Sequence, residues 1–434
     1  MKLNYKRTFM IGLAFMSISA FWQLYDSLVP KMLDSTFGIK ETATGAIMAL
    51  DNVLALFLLP FFGALSDRVD TRLGKRTPFI LFGTFVAVIS MMVLPLANEW
   101  VNFPLFFIAL GMVLLAMSAY RSPAVALMPD LTPKPLRSQA NAIINLMGAF
   151  GGIFSLLMIS LLVPRVDKPN YTLVFLAVAL FMVVAVAALV NTVKEKKLSK
   201  ELADELSDEM EAQRAEDEDA ATSEAKKGSK LPKDVFRSMV FLLASIFFWF
   251  TAYNAVTTAF SRYAEKVWGL KGGSFANSMM VAMGAAIIAF IPIGFVSSRI
   301  GRKKTIIAGI IMITLSYLCG FLFFNYSPWI NVVFAITGIG WASINVNSYP
   351  MVVEMSRGAD IGKYTGIYYT FSMIAQIFTP IFSGFLLEKI HYRTLFPYAV
   401  VFSLLSLLTM LNVRHGDSKP PVKEDIIANF DIAD

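Results

Sequence analysis

Cysteine and histidine are almost missing from this chain, with one of the former and two of the latter in 434 residues. Cys319 has no partner, so an intramolecular disulfide is excluded, and within an apolar segment it reads as a small core residue. His391 and His415 stand away from Cys, Asp or Glu at metal-ligand spacing, so no metal is expected. There is no phosphate-cradling glycine loop, nucleophile elbow or dinucleotide fingerprint, which argues against an ATPase or another enzyme and against a cofactor. Charge is scarce as well: 16% of residues are charged and 56% are hydrophobic. A soluble domain has no means of burying so much apolar surface.

What the chain has instead is a series of apolar runs of membrane-spanning length. Twelve segments are expected, at 8–33, 42–66, 78–97, 103–128, 140–163, 171–192, 236–261, 275–298, 304–325, 329–353, 364–387 and 393–412. The first has basic flanks without a small-residue cleavage pattern, and reads as helix 1 rather than a signal peptide. Short segments on the Met1 side hold most of the Lys and Arg, which places both termini in the cytoplasm. Trp100 and Trp329 suit an interfacial belt.

The chain also repeats itself. Gly63-Ala-Leu-Ser-Asp-Arg68 and Gly74-Lys-Arg76 return as Gly294-Phe-Val-Ser-Ser-Arg299 and Gly301-Arg-Lys-Lys304, the first pair at an offset of 231 residues. That offset holds back to Phe37-Gly-Ile-Lys40 against Trp268-Gly-Leu-Lys271. A duplicated set of membrane helices points to a transporter. The expected domains are a first six-helix bundle over 1–192, an acidic cytoplasmic linker over 193–234, a second bundle over 235–413 and a cytoplasmic tail over 414–434. Between Glu195 and Glu224 lie 12 acidic and 4 basic residues. Leu198, Leu202, Leu206 and Met210 recur every four residues, so the linker reads either as a solvated tether or as partly a helix against the cytoplasmic ends.

The repeated loop suggests a gate. Its glycines allow a sharp turn, and Asp67 can pair with a cation or a helix N-terminus while the cytoplasmic side is closed. The gate candidates are Gly63, Asp67, Arg68, Gly74, Arg76, Asp130 and Arg137, with Gly294, Arg299, Gly301 and Arg302 in the second half. Ser298 replaces Asp67 there, so an asymmetric gate is expected.

The spacing G-x-L-x-D-R with a later G-[KR]-R, in both halves of a twelve-helix chain, resembles the major facilitator superfamily. The longer stretch from Gly63 to Ile80, and Arg121-Ser-Pro-Ala-Val-Ala-Leu-Met-Pro-Asp130 with Arg137-Ser-Gln-Ala-Asn141, resemble sucrose/proton symporters and glycoside–cation symporters. The resemblance implies an all-α membrane protein of two pseudo-symmetric six-helix bundles, alternating access, and sugar uptake driven by an ion gradient. The departures are informative. Sucrose carriers place an arginine at the position of Val125 and an acid at that of Leu114. Melibiose-type carriers place sodium-site acids at positions matching Ala55, Leu59 and Arg121. With these absent, coupling to protons through other carboxylates is the expectation.

Asp26 and Asp51 are carboxylates within predicted spans, and Arg121 is a cation deep in one. Each is costly in a bilayer unless it faces a cavity or a partner, which makes all three coupling candidates. Asp26 has the alternative of pairing Lys31 at the rim. Recognition of a sugar needs flat apolar faces and amide or hydroxyl edges. The candidates are Trp22, Gln23, Tyr25, Asn141, Asn145, Trp249, Tyr253, Asn254, Trp341, Asn345, Asn347 and Gln376. The expected protein is a monomeric proton-coupled sugar symporter of the cell inner membrane that binds no nucleic acid. Its rivals are a drug or metabolite exporter of the same fold and a sugar sensor that does not transport.

Overall fold

The computed structural model describes residues 3–133, 136–166, 168–202, 232–355 and 361–417. Twelve long helices account for nearly all of them: α1 Tyr5–Ser35, α2 Glu41–Arg68, α3 Thr77–Glu99, α4 Phe103–Asp130, α5 Arg137–Leu162, α6 Thr172–Thr192, α7 Lys233–Trp268, α8 Ala276–Ile300, α9 Arg302–Leu322, α10 Ile330–Met355, α11 Ile361–Lys389 and α12 Leu395–Leu411. All twelve are long and apolar enough to cross a membrane. The backbone of such a span must satisfy itself internally, which is why helices are the only regular element needed. Leu206 and Met210 of the expected linker helix lie outside the described residues.

Local signals explain the ends. Asn4 and Asn102 accept hydrogen bonds from Arg7 N and Leu105 N, at 3.0 and 3.1 Å, and so cap α1 and α4. The duplication is visible in the stops. Gly38 and Gly269 have φ of 64° and 66°. After each, the next amide reaches back to close the helix, Ile39 to Leu33 at 2.9 Å and Leu270 to Ala264 at 3.0 Å.

Within the first half α1 packs against α5 and α3 against α4; within the second, α8 and α9 pack on α10. Between halves, α2 meets α11, α5 meets α8 and α1 meets α7. A close approach fixes the α2–α11 crossing: a Cβ on Gly45 would lie 1.9 Å from the Pro380 carbonyl oxygen. Only glycine permits it. The loop 69–76, the α8–α9 turn at Gly301 and the segments after α6 and α12 share one end of the bundle, the basic end; the α1–α2 and α7–α8 turns lie at the far end.

Two expectations are corrected. Helix α7 runs to Trp268, seven residues beyond the expected stop at 261, because Phe260, Tyr263, Ala264 and Trp268 are buried and its terminal charges find partners in the first half. Cys319 is exposed on the outer surface of α9 rather than in the core. Apolar residues face outward as readily as inward in a membrane helix, so an apolar setting alone did not locate it. Trp100 and Trp329 are exposed at helix ends.

Candidate functional site

A small, partly open pocket lies among α1, α2 and α4, lined by Trp22, Asp51, Asn52, Ala55, Leu59, Leu114, Met117, Ser118 and Arg121. Three sequence candidates therefore share one space: Trp22, Asp51 and Arg121. Four of the five positions marked by the resemblance meet there too, since Ala55, Leu59, Leu114 and Arg121 all face it, whereas Val125 is exposed elsewhere on α4. Asp51 lies ten residues into α2, about 15 Å along its axis. Its Oδ1 accepts the Asn52 side-chain amide at 2.7 Å. Arg121 acts on Asp51 electrostatically, yet no ion pair within 4 Å joins them among the described residues. A carboxylate and a guanidinium thus face a common space without closing on each other, an arrangement a membrane span does not carry at no cost.

Asp26 and Tyr25 sit one turn along α1 from Trp22, within electrostatic range of Asp51. The Tyr25 hydroxyl and Trp22 Nε1 are buried without a hydrogen-bond partner, and Gln23 donates to Ser27 Oγ at 3.0 Å. Buried orphan donors are costly in protein, so their concentration on one helix face marks a place meant to meet something else. The rim alternative for Asp26 does not hold: Lys31 pairs with Glu265 instead.

The second half contributes aromatics rather than charge. Tyr253 stacks on Trp341 with ring centroids 3.7 Å apart and planes 4° from parallel. Trp249 Nε1 and Asn254 Nδ2 are buried without partners. Asn345 and Asn347 spend their amide N–H groups on Trp341 O and Ser343 O of their own helix, at 3.2 and 2.9 Å. Gln376 is half-buried, Asn145 buried and Asn141 half-buried. None of these lines the cavity of the first half.

At the far end, ion pairs cross between the halves, and sequence reasoning missed them. Arg262 Nε donates to both oxygens of Glu41, at 3.0 and 2.9 Å, with the two side chains 6% and 4% exposed. The Tyr392 hydroxyl donates to the same carboxylate at 2.5 Å. Lys31 Nζ pairs with Glu265 at 2.7 Å and donates to Gly272 O at 3.1 Å. Lys266 pairs with Asp34 at 2.9 Å. Thr42 N donates to Glu388, and Ser160 Oγ to Asn277, at 3.1 and 2.6 Å. The signal was available in the repeat: Lys31 and Arg262, like Asp34 and Glu265, stand at the offset of 231. Lys31 and Arg262 each bind an acid of the other half.

At the basic end Arg76 and Arg302 find their acids within their own halves. Arg76, 6% exposed, reaches Asp67 at 2.5 Å and Asp130 at 2.8 Å, and also donates to Ser66 Oγ and to Gly63 O. Burial works against its charge, but the hydrogen bonds and charges of Asp130 and Asp67 prevail and raise its pKa. Arg302 likewise pairs with Glu354. Gly74 and Gly301 have φ of 115° and 95°, the region that glycine tolerates. Arg137 donates to Pro129 O and Thr132 O and so closes the end of α4. Ser298 bonds Phe295 O of its own helix at 2.7 Å, and Ser297 bonds Gly294 O at 3.0 Å. Arg68 and Arg299 are exposed and form no ion pair among the described residues.

A profile described as the Major Facilitator Superfamily matches residues 9–293 and 274–429. The chain belongs to this superfamily. It is a multi-pass membrane transporter of small molecules, not an enzyme. The sucrose transport protein SUC3 of Arabidopsis thaliana is 28% identical over 152 residues, 30% of this chain and 25% of that protein. The chloramphenicol resistance protein CraA of Acinetobacter baumannii is 24% identical over 181 residues, 41% of this chain and 42% of that one. Both matches thus span less than half of the relative's length. Among solved structures, a POT family transporter in complex with 5-aminolevulinic acid aligns with a TM-score of 0.69 at 12% identity, covering 94% of this chain and 96% of that one. The nucleoside transporter NupG, as a point variant, aligns with a TM-score of 0.66 at 13% identity, covering 94% and 100%. At such identity these two share the fold.

Proposed function

We propose that this superfamily member is a proton-coupled symporter that takes up a disaccharide or related glycoside by alternating access. In this reading the first bundle spans 1–192 and the second 235–413. The basic end and both termini lie in the cytoplasm, and a monomer works in the cell inner membrane. The observation that carries it is the shared cavity of Asp51, Arg121 and Trp22. A protonatable carboxylate, a forked donor and an aromatic face in one space are what coupled recognition of a polyhydroxy ring requires. Three positions where the resembled cation symporters keep acids, and one where sucrose carriers do, line the same cavity with Ala55, Leu59, Arg121 and Leu114. Asp51, one helical turn from Ala55, supplies the carboxylate.

The cycle follows. Protonation of Asp51 removes its charge and with it the electrostatic pull on Arg121, which turns to the sugar; substrate and proton together then permit the halves to rock. Asp26 feeds protons toward Asp51 from α1. The stack of Tyr253 on Trp341, with the orphan donors of Trp249 and Asn254, provides the second half's face for the ring. The test is uptake of labelled sucrose, maltose, melibiose and glucose into proteoliposomes under an imposed pH gradient. Accumulation of one of them is expected; absence of gradient-dependent accumulation of all would overturn symport. Asp51→Asn is expected to abolish accumulation while leaving sugar exchange at equilibrium. The similarity to CraA favours a second reading, proton-coupled export, and efflux of chloramphenicol from inverted vesicles would select it.

A further inference from the structure

By sequence alone, each repeat ends at its sixth helix. The structure continues it, because the segment after that helix returns in both halves to the motif loop. Glu195, three residues past α6, is 5% exposed. Its carboxylate accepts Lys75 N at 2.7 Å, Arg76 N at 2.9 Å, Thr77 N at 2.8 Å and Thr77 Oγ1 at 2.7 Å. These are the amides that open α3, which otherwise have no partner in the helix. Lys196 beside it donates to Asp70 at 3.1 Å and to Thr71 O at 3.3 Å. In the second half, Asp417, six residues past α12, accepts Lys303 N at 2.7 Å at the opening of α9. Lys303 Nζ in turn donates to Leu411 O and Val413 O, at 3.1 and 2.6 Å.

The motif glycines fit this arrangement. A Cβ on Gly74 would lie 2.3 Å from Glu195 Cδ, and one on Gly301 would lie 3.0 Å from Asp417 Oδ1. Each glycine leaves space for a carboxylate that arrives from the far end of its own repeat. An anion at a helix N-terminus meets both the free amides and the positive end of the dipole. The consequence reaches the gate. Arg76, whose backbone Glu195 holds, is the residue whose side chain ties Asp67 of α2 to Asp130 of α4. Arg302, next to the amide that Asp417 holds, ties α9 to Glu354 of α10.

We infer that Glu195 and Asp417 are positioning residues for transport: a duplicated carboxylate clip that fixes the motif loop of each bundle, and with it the gate arginine. The inference rests on alternating access, not on the identity of the substrate or the coupling ion. The start of the acidic linker and the start of the tail are then working parts of the bundles rather than tethers.

Hydrogen exchange on the full-length protein in lipid nanodiscs tests the clip. In Glu195→Ala the peptides carrying Lys75, Arg76 and Thr77 are expected to exchange about tenfold faster, and in Asp417→Ala the peptide carrying Lys303 does the same. Each change stays within its own half. The role in transport is read separately, as the rate at saturating substrate together with oxidative cross-linking of a Ser160→Cys/Asn277→Cys pair that reports far-end closure in a Cys319→Ser background. Glu195→Ala is expected to lower the maximal rate about fivefold with KM within about twofold and to shift the cross-linking yield. Glu195→Gln, which keeps one acceptor oxygen, recovers part of both and carries the same test should the alanine variant fold poorly. Unchanged exchange at residues 75–77 in both variants would remove the clip. Faster exchange with unaltered rate and cross-linking would reduce it to a helix cap. Loss of sugar uptake in the parent protein would leave the exchange and cross-linking arms intact, so failure of the symport reading is told apart from failure of this one.

Discussion

The two ends of the molecule use the same residue types in opposite ways. At the far end, Lys31, Glu41, Arg262 and Glu265 are partnered across the interface between the halves, and the Glu41–Arg262 pair is almost fully buried. At the basic end, Arg76 with Asp67 and Asp130, and Arg302 with Glu354, bind partners in their own half. The first arrangement holds two bodies together; the second makes each body stiff. The structure is thus a state closed at the far end, and opening it requires the crossing pairs to break while the internal ones persist. In the alternating access proposed above, these crossing pairs would be the far-end gate, and the motif loops the rigid rims that meet when the state reverses.

The sharpest way to break the contrast is to make a crossing contact permanent. Ser160 Oγ and Asn277 Oδ1 are 2.6 Å apart between α5 and α8, which makes this facing pair the one to replace by cysteines for oxidative cross-linking. With Cys319→Ser removing the native thiol, oxidation of Ser160→Cys/Asn277→Cys is expected to cut transport by more than about twentyfold, and reduction to restore it. An oxidised protein that still transports at full rate would mean that the far end does not open in the cycle.

Next in size is the buried pair. Arg262→Ala strands the Glu41 carboxylate with the Tyr392 hydroxyl in a site 4% exposed. Breaking such a pair costs about 3–5 kcal/mol, which shifts a two-state balance by about two to nearly four decades. Transport is expected to fall at least about tenfold, and cross-linking of the Ser160/Asn277 cysteine pair to drop as the closed state loses population. The double variant Glu41→Ala/Arg262→Ala should recover part of both, since no charge is then left buried and unpaired. Equal defects in the single and double variants would argue that the pair is not a unit.

How far this was legible in the sequence depends on the residue. The twelve spans stand near their expected positions, because a run of some twenty apolar residues has a single solution in a bilayer. The far-end gate was not read. Arg262, Glu265 and Lys266 look like the polar stop of α7, and only the other half's acids and Lys31 turn them into helix. Glu195 was read as one acid of a solvated linker; nothing in its neighbouring sequence distinguishes it from Glu201 or Glu205, since its partners are backbone amides 118 to 120 positions earlier. Asn345 and Asn347 looked like cavity amides, but periodicity does not tell whether an amide turns to a cavity or back to its own helix. The meeting of Asp51, Arg121 and Trp22 could be anticipated only as three separate costs in a membrane, not as one space.

The smallest effects belong to the basic end, and their order tests whether its ion pairs are internal bracing. Arg76→Ala removes the link between α2, α3 and α4 and should slow transport about fivefold. Asp67→Ala removes one of two acids from a pair whose acid is 61% exposed. Exposed pairs contribute about 0–1 kcal/mol, so a loss of about twofold is expected, with Asp130 retaining Arg76. Arg68→Ala, which pairs with no acid among the described residues, should change the rate by less than about twofold. The comparison between the ends turns on this ranking. If Asp67→Ala proves as damaging as Arg262→Ala, then Asp67 makes a second, bundle-crossing contact in the reversed state, and the basic end is a gate in its own right. Cross-linking of the Ser160/Asn277 pair in the Asp67→Ala background separates the two: a raised yield means that Asp67 stabilises the reversed state, while an unchanged yield leaves it as bracing for Arg76.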